Sequence, residues 1–182
     1  MKLQASALAI ATLLAVPAIA SAANTITFNG EVTDQTCSAI VDGNTDPTVM
    51  LNSVPVSALN GTVGKTAGET SFTLQLTGCA APGTGEEEHF SALFQATNAT
   101  TAGNLTNTAS GGATGVALQL LTAPGGTAVN LAGGAAVAAG DIVLAEGQTS
   151  TSYDYAVQYV SEAATVTPGP VLGSLTYTLR YE

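Results

Sequence analysis

The side chains with the most chemistry in this 182-residue chain are one histidine, two cysteines and 13 carboxylates. Four of them are consecutive, Glu86-Glu87-Glu88-His89. A metal site or an acid–base pair needs such groups to converge on one point. Consecutive residues of a strand instead point to opposite faces. Gly83 and Gly85 beside the run suggest a loop, so the run reads as a solvated charged segment rather than a cation site. His89 is the one imidazole that a Ser-His-Asp triad could use, but no Gly-x-Ser-x-Gly elbow accompanies it. The residues therefore predict no catalytic site, no metal and no cofactor. Lys+Arg is 3 and the formal net charge is −10. That excludes the basic stripe of a nucleic-acid binder and a polybasic membrane-surface patch. At 46% hydrophobic residues, the chain is not a disordered acidic tail either.

The cysteines take their meaning from the start of the chain. Met1-Lys2 is followed by a mostly apolar run centred on Leu8, Ile10, Leu13, Leu14 and Val16. Pro17 interrupts it, and Ala20-Ser21-Ala22 is a small-residue cleavage site. Residues 1–22 thus have the layout of a secretory signal peptide, and the run is short for a retained bilayer span. Cleavage there leaves Lys65 and Arg180 as the only basic side chains. In an oxidising compartment the single pair Cys37 and Cys79 predicts one disulfide. Closing such a loop contributes about 4 kcal/mol in the chain-entropy model.

The elements that must position these groups are strands. Two-residue alternation recurs, with no convincing helical period after residue 23. It runs through Ile26, Phe28, Gly30 and Val32, then Phe72, Leu74 and Leu76, then Phe90, Ala92, Phe94 and Ala96. It returns at Val116, Leu118 and Leu120, which the turn Pro124-Gly125-Gly126 ends. Tyr153, Tyr155, Val157 and Tyr159 follow, and read as core rather than a ligand platform. Leu175, Tyr177, Leu179 and Tyr181 make the final run. The low-complexity stretch 125–140 reads as loop with a short strand around Val129–Leu131. Many short strands between turn signals predict an all-β, immunoglobulin-like sandwich with no second domain. The final run leaves no sequence to cover its edge, and the run before Cys37 has no nearby partner. Exposed edges are normally protected, and strand addition between molecules is one way to do so.

These residues resemble the pilins of the chaperone–usher class, close to type 1 fimbrial major subunits. Phe28-Asn29-Gly30-Glu31-Val32 resembles the Phe-x-Gly-x-Val donor strand of that family. Gly103-Asn104-Leu105-Thr106-Asn107-Thr108 resembles another family segment. Tyr181 is the penultimate aromatic, Leu179, Tyr177 and Leu175 alternate before it, and Gly169 is fourteenth from the end.

The resemblance implies an immunoglobulin-like sandwich lacking its last strand, completed by a donor strand from a chaperone or a neighbouring subunit. Residues 23–35 would be the donor-strand extension and 36–182 the pilin domain. Ile26, Phe28, Gly30 and Val32 would enter a neighbour's groove, Gly30 where no Cβ fits. Gly169, Leu175, Tyr177, Leu179 and Tyr181 would border that groove. The implied partners are identical or related pilin subunits, a periplasmic chaperone and an outer-membrane usher. The implied product is a fimbrium at the cell surface, acting in adhesion and biofilm. A minor or adaptor subunit is the nearest alternative, and a self-contained secreted binding module is a more distant one.

Overall fold

The computed structural model describes residues 36–182. The signal peptide and the residues Ile26, Phe28, Gly30 and Val32 lie outside that range. Eight strands and one helical turn make up the described chain. In order they are β1 (Ser38–Val41), α1 (Val56–Leu59), β2 (Thr66–Thr77), β3 (Glu88–Ala96) and β4 (Leu105–Thr106). Then come β5 (Val116–Leu121), β6 (Val137–Leu144), β7 (Ser150–Ser161) and β8 (Leu175–Tyr181). One sheet has the order β1-β2-β7-β5-β4 and the other β6-β3-β8. Every pairing is antiparallel.

Period-two patterning explains the layers. Phe72, Leu74 and Leu76 of β2 are buried, while Ser71, Gln75 and Thr77 between and beside them face solvent. Phe90, Ala92 and Phe94 of β3 are at most 1% exposed. These two rows face each other across the sandwich. Tyr155 of β7 joins them, its ring 4.9 Å from Phe94 in an edge-on contact and 5.8 Å from Phe72. Its hydroxyl is buried and donates to the Ala139 carbonyl at 2.7 Å, and that burial pushes its pKa upward. The tyrosine row of β7 is thus core at its centre, as its alternation suggested. In β5 the alternation is incomplete. Ala117 and Leu121 are buried as well as Val116, Leu118 and Leu120.

The Ala/Gly-rich stretch folds differently from expectation. No strand forms around Val129–Leu131. Those two residues insert singly into the core at 5% and 0% exposure. The chain there makes an isolated bridge between Leu121 and Ala128. The strand of this region is β6, which starts further on. Its register on β3 shifts between Phe90 and Ala92, and Gly140 sits nearby at φ +81°. A Cβ at Gly140 would collide with the Tyr155 hydroxyl. The buried tyrosine therefore needs a small, left-handed residue in an edge strand, and that need conceals the strand from pattern reading.

The cysteines do pair. Cys37 lies just before β1 and Cys79 just after β2, and the register of Ser38 opposite Thr77 sets them side by side. The Cys37–Cys79 disulfide spans Cα atoms 4.2 Å apart.

Candidate functional site: an apolar groove beside β8

The feature that the sandwich leaves open is one edge of β8. One side of β8 pairs with β3 along its whole length, from Ala96 opposite Leu175 to Phe90 opposite Tyr181. Among the described residues, no strand pairs with the other side. The contrast across this ladder is informative. The β3 residues opposite Leu175, Tyr177, Leu179 and Tyr181 are all buried. The four β8 residues are only half-buried, although Thr176, Thr178 and Arg180 between them are the solvent-facing set. An apolar row in a sandwich is normally covered by its neighbours on both sides. Here the cover on one side is missing.

The space beside that row is a groove of about 830 Å³. Phe72, Phe94, Leu118, Leu120 and Val157 reach its floor, which is therefore the core itself. Leu175, Tyr177 and Leu179 form one wall. The opposite wall is Ala39 and Val41 of β1 and the irregular segment that follows, chiefly Pro47, Val49 and Leu51. Since β1 is itself the outer strand of its sheet, the groove runs between two edge strands, one from each layer. Its mostly apolar lining suits the alternate apolar side chains of an extended chain. Among the described residues the outer side of β8 has no strand partner, which is the edge that strand addition uses.

The expected border residues separate into two groups. Leu175, Tyr177 and Leu179 line the groove. Tyr181 continues their row beyond it, with its ring 5.2 Å from that of Phe90. Gly169 lies elsewhere, in the connection ahead of β8, beside a smaller cavity of about 290 Å³. A Cβ at Gly169 would stand 2.5 Å from the Ala113 amide nitrogen, so close backbone approach accounts for the glycine. The wall formed by 45–51 was not anticipated. Its only sequence signal is the alternation of Val49 and Leu51 around Met50, which is 80% exposed.

Polar groups make little of this site. In the groove, the Tyr177 hydroxyl lies 3.4 Å from the Ala39 carbonyl and 3.3 Å from that of Thr45. Burial, and then the Asp46 carboxylate, raise its pKa. The histidine sits apart from it. His89 Nδ1 is 2.7 Å from Asp141 Oδ1, and both side chains are exposed. Ser91 follows two residues later on β3, but its hydroxyl donates to Glu182 Oε1 at 2.7 Å. Its proton is committed to a carboxylate rather than to the imidazole. That is not the hydrogen bonding of a nucleophile–base pair.

An incomplete immunoglobulin-like sandwich with an apolar groove at its open edge is the class of molecule that fold and site define. A family model described as fimbrial protein matches residues 26–182, and the chain belongs to the fimbrial protein family. It is 39% identical over 159 residues to the F17 fimbrial protein of Escherichia coli, covering 86% of each chain. It is 38% identical over 177 residues to the major fimbrial subunit SMF-1 of Stenotrophomonas maltophilia, covering 93% of this chain and 99% of the other. Solved structures agree in fold. The P pilus rod subunit superposes with a TM-score of 0.59 at 19% identity, over 80% of this chain and 99% of that one. A chaperone–usher pilus structure gives 0.58 at 20% identity, over 92% and 100%. The protein is thus a structural pilus subunit displayed at the cell surface. Among the described residues, no helix is long and apolar enough to cross a membrane.

Proposed function

We propose that this subunit polymerises by donor-strand exchange, its groove beside β8 receiving residues 23–35 of a neighbouring copy. The open β8 edge above a core-lined groove carries the reading. Ile26, Phe28 and Val32 present three apolar side chains on one face of the extension, with Gly30 between them. Each one fully buried would add about 1.5–3 kcal/mol, and the backbone ladder would add to that. The result is a tight, slowly dissociating joint.

Before assembly the same groove exposes the core to water, so a periplasmic chaperone holds it and an outer-membrane usher releases the subunit into the polymer. Residues 1–22 direct export and are removed, freeing the extension. The similarity to a major fimbrial subunit over nearly its whole length favours a shaft component over an adaptor. The shaft serves surface adhesion and biofilm, and the subunit performs no catalysis.

Deleting residues 23–33 tests the reading. Shed surface material from the parent strain should give a ladder on a denaturing gel when unheated and one monomer band after boiling. The deletion variant should fold and bind chaperone but fail to assemble. If the deletion instead unfolds the isolated subunit, the segment belongs to its own sandwich and donor exchange is wrong.

A further inference from the structure

We propose that Tyr177 is a latch across the groove, holding its two walls together until a strand enters. The inference rests on the donor-strand reading and concerns how the same site is controlled.

Of the three β8 side chains in the groove wall, Leu175 and Leu179 have no polar atom with which to reach the other side. Tyr177 does reach it. Its hydroxyl meets the carbonyl of Ala39 on β1 and that of Thr45 on the following segment. These are the two parts of the opposite wall. A phenol has one proton, so it donates to one carbonyl at a time, and at 3.3–3.4 Å either contact is longer than an ordinary O–H···O hydrogen bond and correspondingly weak. Such a bond tethers without locking.

The irregular part of that wall is held by side-chain packing, with Val49 and Leu51 against the core, rather than by a backbone ladder. The segment from Asp42 to Leu51 contains no strand. Among the described residues, its backbone hydrogen bonds lie in the turn at its start, between Val41 and Asn44 and from Asp42 to Thr73. Below the tether lies Phe94, the register partner of Tyr177 and part of the groove floor. An incoming strand must occupy the space that the tyrosine spans, so the hydroxyl has to let go first. On this reading the contact is given up as the groove fills. It therefore slows entry and favours the empty state.

The test is uptake of a fluorescent peptide copying residues 23–35 by the full secreted chain, refolded from dissociated polymer with its disulfide intact. Fluorescence anisotropy follows the rate. Tyr177→Phe keeps the ring and removes the hydroxyl, and should take up peptide about two- to tenfold faster, the range one released hydrogen bond allows. Equal rates in the two proteins would overturn the latch and leave the groove reading intact. If neither protein binds the peptide, the groove reading fails and the latch with it.

A second readout does not depend on the variant folding. In the wild-type chain labelled with 3-fluorotyrosine, the Tyr177 resonance should shift on peptide uptake as its hydroxyl loses the carbonyls. A bound peptide that leaves that resonance unmoved would also refute the proposal.

Discussion

Among single residues, His89 and Gly140 carry the clearest consequences. The hydrogen bond to Asp141, then its charge, raise the His89 pKa above 6.5. A raised folded-state value means that the pair's contribution to stability is complete below pH 6.5 and is lost as pH rises through the raised value. NMR titration should find His89 above its ordinary value, and Asp141→Asn should bring it back. Because both side chains are solvent-exposed, the accompanying stability change should be small. Gly140 is the opposite kind of residue, inconspicuous in sequence and tightly constrained in space. Gly140→Ala should destabilise the sandwich by about 1–3 kcal/mol, through a strained left-handed backbone and the clash with Tyr155. Urea denaturation would measure it.

At the level of elements, β2 and β8 should respond differently to the same truncation. Leu76, at 0% exposure in β2, is ordinary core, and Leu76→Ala should cost about 2–5 kcal/mol in any state of the protein. Leu179 is half-buried. Leu179→Ala should cost less than that in the free subunit and, if donor-strand exchange completes its burial, more in the polymer. Comparing denaturation of monomer and polymer for both variants separates the two cases.

These elements also mark how far the sequence could be read. β2, β3, β7 and β8 announce themselves because one face of each is apolar and the other polar. β6 does not, since packing over Tyr155 demanded Ala139 and Gly140 where a larger apolar residue would have marked a strand. The groove is half legible for a similar reason. Its β8 wall is a patterned strand, whereas the 45–51 wall is irregular chain that owes its place to contacts with residues far away in sequence. Gly169 was expected at the border of the groove from its place in the C-terminal pattern. It sits against the backbone of Ala113, beside the smaller cavity.

For the whole molecule, charge is the dominant feature. Against 13 carboxylates, Lys65 and Arg180 are the only basic side chains beyond residue 2. Arg180 stands 3.9 Å from Glu182, and Lys65 donates to the Asn60 carbonyl at 2.6 Å. Copies of such a chain repel one another at long range. An association driven by apolar burial between like-charged partners should accelerate as salt screens them. Polymerisation followed by light scattering should therefore quicken between low and physiological ionic strength. A joint built on ion pairs would slow instead.

The disulfide has a mechanical meaning as well. In a polymer joined through its extensions, tension enters each subunit along the chain leading to Cys37. Without the bridge, the first thing to resist it would be β1, a four-residue strand at the edge of its sheet, laddered to β2. The bridge at Cys37 passes part of the pull directly to Cys79, at the end of the twelve-residue β2. β2 is laddered to β7 from Thr66 to Thr77, in the interior of the sheet. Force is delivered to the longest ladder of the domain instead of peeling a four-residue one, and a reduced fibre should yield at a lower pull than an oxidised one.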